Sequence, residues 1–214
     1  MNALIPATIL LFSGAPLMVQ AHTSASAPAH SYSSDLGFNY DLPSDWEVAD
    51  PQADLPQAKE KAAQNATSEQ DKKGLACAQM GMTARHSGSV IVDVALPFEC
   101  FGQQLSEKDL VGFGEDTSQG LKQSFDIGEP TYGSYALGSH NLWIERVKGT
   151  PKGQAGVSYT IEITCAVLKK AAVCWMAMAA DDSALRTFEH ATVSLDGDAP
   201  IALVPATAFD RKPS

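Results

Sequence analysis

The chain has 214 residues, of which 44% are hydrophobic and 19% charged, and its 15 basic against 25 acidic residues give a net charge of -10. Binding nucleic acid without regard to sequence needs clustered Lys and Arg to displace counterions, so this charge balance argues against that class. The hydrophobic share is ordinary for a packed core, and after the N-terminus no run of about 18 apolar residues offers a membrane span.

Residues 3–19 form an apolar run broken by Pro6 and Pro16, followed by Val19-Gln20-Ala21, with Ala27-Pro28-Ala29 as a second small-residue site. This layout predicts a signal peptide over residues 1–21 and a secreted or periplasmic chain, although no Lys or Arg precedes the apolar run. Residues 22–34 are rich in Ser and Ala and read as a flexible lead-in. A single domain is expected over 35–205, with a tail at 206–214. Gly37 to Tyr40 reads as a short strand, while residues 35–54 hold six acids and no base and read as surface loop. Asp54 can cap a helix that starts at Leu55-Pro56 and runs to about Ala63.

Strands are expected over 75–84 and 90–96, with Val90, Val92 and Val94 on one face and Ile91 and Asp93 on the other. Ser106-Glu-Lys-Asp109 is a helix start, and Leu110, Val111, Leu121 and Phe125 supply its apolar side. A hairpin is expected between 131–137 and 141–147, turning at Gly138-Ser139-His140. Residues 157–167 alternate, with Val157, Tyr159, Ile161, Ile163, Cys165 and Val167 on one face; 171–179 reads as the next strand. Asp182 to His190 is a short helix with Leu185 and Phe188 on its buried side. Pro200 to Pro205 suits an edge strand.

The cysteines are Cys77, Cys100, Cys165 and Cys174, with no C-x-x-C. An even count in an exported chain is read as disulfides. A turn at Lys169-Lys170 sets Cys165 opposite Cys174, Ile163 opposite Met176 and Ile161 opposite Met178. The cysteine pair then occupies a non-hydrogen-bonded site, where side chains approach most closely. Cys165–Cys174 follows from this register, and Cys77–Cys100 by exclusion.

Hairpins with helices inserted between them imply an α+β fold around an antiparallel sheet. Strand 171–179 is apolar on both sides, which implies cover on both sides, and the expectation is a central sheet sandwiched between helices. The segment Gly37-Phe-Asn-Tyr-Asp-Leu-Pro-Ser-Asp-Trp46 resembles the opening of the PsbP-like fold family. The closing hairpin 157–179, followed by Ala184-Leu-Arg-Thr-Phe-Glu189 and Val193-Ser-Leu195, resembles its end. The resemblance implies a central antiparallel sheet with flanking helices and a binding, assembly or accessory role, as in an uncharacterised secreted bacterial branch. It carries no functional residue across.

Candidate chemistry is sparse. Met80/Met82 and Met176/Met178 offer soft thioethers suited to Cu(I), but their strand positions read as core packing. His22 or His30 becomes N-terminal after cleavage at Ala21 or Ala29, and an N-terminal His chelates copper through amine and imidazole. A copper-binding or metal-dependent small enzyme is therefore the alternative function. His140, Glu145 and Asp93 form no recognised catalytic motif, and Gly112-Phe-Gly114 lacks the Lys of a phosphate-binding loop. Asp181-Asp182 suits a helix N-terminus better than a calcium site. Asn65-Ala-Thr67 is formally a glycosylation sequon. The reading is an exported, disulfide-stabilised, non-enzymatic binding or accessory module with no cofactor, whose partner is a protein or small ligand of the cell envelope.

Overall fold

The computed structural model describes residues 30–42, 45–49, 69–154 and 156–212. The leader expected over 1–21 and the helix expected over 55–63 lie outside them. Two antiparallel sheets organise the chain. The larger has eight strands in the order β3-β4-β5-β10-β9-β8-β6, with β7 also paired to β8. Its members are β3 (Glu47–Ala49), β4 (Gln79–His86), β5 (Ser89–Pro97), β6 (Phe125–Ile127), β7 (Thr131–Leu137), β8 (His140–Pro151), β9 (Tyr159–Val167) and β10 (Ala171–Ala179). The smaller sheet is β1-β2-β11-β12: His30–Ser34, Phe38–Leu42, Thr192–Leu195 and Ile201–Ala202. The helices are α1 (Glu69–Cys77), α2 (Phe98–Phe101), α3 (Leu110–Ser124) and α4 (Asp182–His190).

The register of the central hairpin follows the alternation of its residues. Cys174 pairs with Cys165, Met176 with Ile163 and Met178 with Ile161. Strand β8 is 12 residues long, so β7 and β6 share the edge opposite β9. One face of the large sheet presents Val90, Val92, Trp143, Val147, Ile161, Ile163, Met176 and Met178 to Leu75, Phe101, Leu110, Phe113 and Leu121 from the helical segments. Gly114 is what lets α3 lie this close, because a Cβ there would sit 2.4 Å from the Trp143 ring.

The opposite face departs from the sandwich of helices. Ile91, Ile144, Trp175 and Ala177 meet Phe38, Tyr40 and Leu42 of β2 and Val193 and Leu195 of β11, with Leu185 and Phe188 of α4 and the closing residues Leu203, Val204 and Ala208 alongside. Cover on this side is therefore mainly a second sheet. The acidic stretch 35–54 contributes to it because Phe38, Tyr40 and Leu42 alternate inward while Asn39 and Asp41 turn away. Residues 30–34 of the lead-in likewise form β1 rather than a flexible segment.

Other boundaries shift for local reasons. Leu75 to Cys77 end α1, and the strand begins only at Gln79. Phe125 leaves α3 in extended conformation and opens β6. Past Pro205 the chain stays packed: Ala208 is fully buried, and the Ser134 N–H donates to the Arg211 carbonyl at 2.9 Å. Caps form where acids precede helices. The Ser106 N–H donates to Asp109 Oδ2 at 2.8 Å, and Asp181 Oδ1 accepts from the Ala184 N–H at 2.9 Å.

Candidate functional site

All four cysteines are bonded. Cys165–Cys174 spans neighbouring strands with 4.1 Å between Cα atoms, the close approach of a non-hydrogen-bonded pair, and both residues are buried under the helical face. Cys77–Cys100 joins the last residue of α1 to α2, with Cys77 buried and Cys100 exposed.

Three carboxyl groups are buried on the central strands. Asp93 (β5) lies at a bulge in β4, where the register shifts between Met80 and Thr83. Its Oδ2 accepts the Met82 N–H at 3.0 Å, and a Cβ on Gly81 would fall 2.0 Å from its Oδ1. Burial pushes Asp93 up to about 7, against the pull of the Met82 and Gly81 N–H groups. The bulge also separates the first methionine pair: Met80 joins the helix-covered core and Met82 the opposite one. Glu145 (β8) accepts from the Ser118 hydroxyl of α3 at 2.7 Å, and burial raises it to about 7.

Glu162 (β9) is raised to about 7 by burial, with the Arg146 guanidinium countering. Arg146 Nε donates to Glu162 Oε2 at 2.5 Å, its Nη2 reaches Glu189 of α4, and its guanidinium stacks 4.6 Å above the Phe209 ring. Beside this cluster the Tyr135 hydroxyl donates to the Leu203 carbonyl at 2.8 Å, and the Thr164 hydroxyl donates to the Trp143 carbonyl at 3.0 Å. These contacts tie the closing segment to β7, β8 and β9.

Asp93, Glu145 and His140 do not come together. Asp93 faces the second sheet, Glu145 faces α3, and His140 begins β8 at a sheet end. There His140 Nδ1 lies 3.1 Å from the Val167 carbonyl, and its Nε2 lies 3.4 Å from Asp196 Oδ2. Asp196 also accepts the Lys169 N–H at 3.0 Å. One turn away, Asp198 Oδ2 accepts from the Ser139 N–H and hydroxyl at 2.8 and 2.9 Å. This junction of turns was not foreseen. Its partners are separated by more than 25 residues, and only the acids of Asp196-Gly-Asp198 hinted at it. Asp93 Oδ1, Glu145 Oε2, Glu162 Oε1 and His140 Nε2 are buried without a hydrogen-bond partner among the described residues.

Among the described residues no group of three or more His, Cys, Asp or Glu side chains is placed to hold a metal ion. His22 lies outside the described residues, and His30 opens β1 opposite Leu42. No helix there is long and apolar enough to cross a membrane. An open groove of about 640 Å³ runs between α4 and the β2–β11 pair, lined among others by Asp41, Leu42, Arg186, Thr187, His190 and Thr192. Arg186 and His190 stand one helical turn apart, both exposed, and neither has a partner among the described residues.

No family model matches the sequence, and no curated protein matches it. Among solved structures the chain is similar to the solution structure of cyanobacterial PsbP (CyanoP) from Synechocystis sp. PCC 6803, at 9% sequence identity and a TM-score of 0.46, covering 78% of this chain and 89% of that chain. It is the same family that the residue pattern at the two ends resembles. At that overlap the likeness carries no functional weight, and the architecture rests on the strand order and register above.

Proposed function

We propose that the chain is an exported, disulfide-stabilised, non-enzymatic binding or accessory module of the cell envelope, freed from its leader at Ala21 or Ala29. The observation that carries this reading is the pairing of every cysteine into two disulfides, one of them sealed inside the sheet. Structural disulfides persist in oxidising compartments and are rare in the cytosol. Support for binding comes from the groove beside α4. Arg186 and His190 offer unspent donors to a carboxylate or carbonyl-rich partner, while Asp41 and Thr192 form the facing wall.

The test is fractionation of cells producing the full-length chain, followed by capture from the envelope fraction with wild type and Arg186→Glu. Export, and a partner retained by wild type but lost with the variant, are the expected results. Retention of the whole chain in the cytosol contradicts the compartment. Equal capture by both proteins contradicts the groove.

A further inference from the structure

The two disulfides differ in what a reductant can reach. Cys165 and Cys174 lie beneath the helical face on the two innermost strands of the large sheet, whereas Cys100 is exposed on a four-residue helix. The exposed bridge also fastens α1 to the rest of the fold. That helix has nine residues, EQDKKGLAC, too short to persist without tertiary anchors. Among its residues whose burial is described, Gly74 and Leu75 are buried besides Cys77, with Ala78 just beyond its end.

A cation lies close to the end of the helix that carries Cys100. Lys73 precedes Cys77 by four positions, so the two share a helix face, and a Cβ on Gly102 would lie 3.1 Å from the Lys73 ammonium. Gly102 caps α2 in the left-handed conformation at φ 75°. The ammonium is held near the end of the helix that carries Cys100, and from the helix face it shares with Cys77 its positive charge would favour a thiolate there.

We propose that Cys77–Cys100 is a redox clip: a dithiol opens it selectively, α1 detaches, and the rest of the fold stays closed by Cys165–Cys174. In the step, a thiolate of the dithiol attacks the sulfur of Cys100, the exposed residue of the pair. The bond between the cysteines breaks, and Cys77 departs as a thiolate that takes up a proton. The second thiol of the reductant resolves the mixed disulfide, so two electrons pass to the bridge, both cysteines end as thiols and the reductant becomes a disulfide. Detachment bares apolar surface in the cluster that Leu75 shares with Leu96, Phe101 and Leu105. The physiological reductant is a protein dithiol, because a partner of that class meets Cys100 at the surface and does not reach Cys165. The clip rests on the fold alone, so cytosolic retention of the chain defeats the exported reading and leaves the clip standing.

The experiment is stepwise reduction of the full chain by dithiothreitol, alkylation at intervals, and peptide mapping with amide exchange over residues 69–77. Cys77 and Cys100 are expected to alkylate at least about tenfold faster than Cys165 and Cys174. Exchange protection of α1 falls in step with that alkylation while β9 and β10 stay protected. Lys73→Gln slows the opening several-fold without altering the pairing. Joint loss of both bridges, prior loss of Cys165–Cys174, or an α1 still protected after reduction overturns the clip. The double variant Cys77→Ser, Cys100→Ser provides a second arm. A folded protein with α1 unprotected supports the clip; failure to fold makes the bridge purely structural and overturns it.

Discussion

The two faces of the large sheet reach the same degree of burial by different chemistry. The helix-covered face is closed by aliphatic and aromatic side chains and by both disulfides, and its buried carboxyl Glu145 is partnered by a neutral hydroxyl. The sheet-covered face contains Asp93 at a bulge and the chain Glu162–Arg146–Glu189, and it is fastened by hydrogen bonds from distant segments. Covalent bonds and apolar contacts make the first face dependent on oxidation, with Glu145 as its pH-sensitive group. The second depends on protonation, because ionised carboxylates are expensive to bury. Reductant should therefore act on the first face, while pH acts on both and more strongly on the second, which holds two of the three buried carboxyls.

The largest effects come from the aromatic centre of each face. Trp175→Ala removes the side chain that meets Phe38 edge-on across the two sheets, and a loss of about 3–5 kcal/mol is expected in chemical unfolding. Trp143→Ala should cost as much while leaving the β1–β2 hairpin protected from amide exchange, whereas Trp175→Ala should expose it. Equal exposure in both variants would erase the distinction between the faces.

Next comes Arg146→Met, which leaves Glu162 buried and unpaired. The expected cost is about 3 kcal/mol at pH 8. It shrinks toward pH 5, where Glu162 takes up a proton. A penalty independent of pH would mean that Arg146 acts through its stacking on Phe209 alone.

The carboxyls themselves give a smaller and graded signal. Asp93 is raised from 3.8 to about 7, so the folded state holds its proton more tightly than the unfolded chain does. Its stabilising contribution is full below about pH 4 and is lost progressively as pH rises through about 7. Asp93→Asn should flatten that slope in thermal melts between pH 4 and 8. Asp93→Asn with Glu162→Gln should flatten it more than Glu145→Gln does, since two of the three groups lie on the sheet-covered face. The smallest change is Asp181→Ala, which removes the cap of α4 and should cost about 1 kcal/mol with no dependence on reductant.

What was legible in the residues divides along the same line. The β9–β10 hairpin declared its register because alternation and a short turn together fix which side chains face each other; Cys165 opposite Cys174 is a local consequence. Asp181 and the Ser106–Asp109 box were equally local. The second sheet was not legible, because β2 and β11 are separated by some 150 residues and meet only through tertiary packing. The six acids around β2 masked three inward apolar residues. The same distance hid His140 with Asp196 and Glu162 with Glu189, pairs that no spacing within one element reveals.

The central claim is a chain oxidised outside the cytosol and closed by two specific bridges. It is tested most directly by the intact mass of the protein exported by its own leader and purified without reductant, followed by non-reducing peptide mapping. The mass should fall about 4 Da below the fully reduced value, with linked peptides carrying Cys77 to Cys100 and Cys165 to Cys174. Free thiols in that sample, or peptides linked in any other pairing, would contradict it.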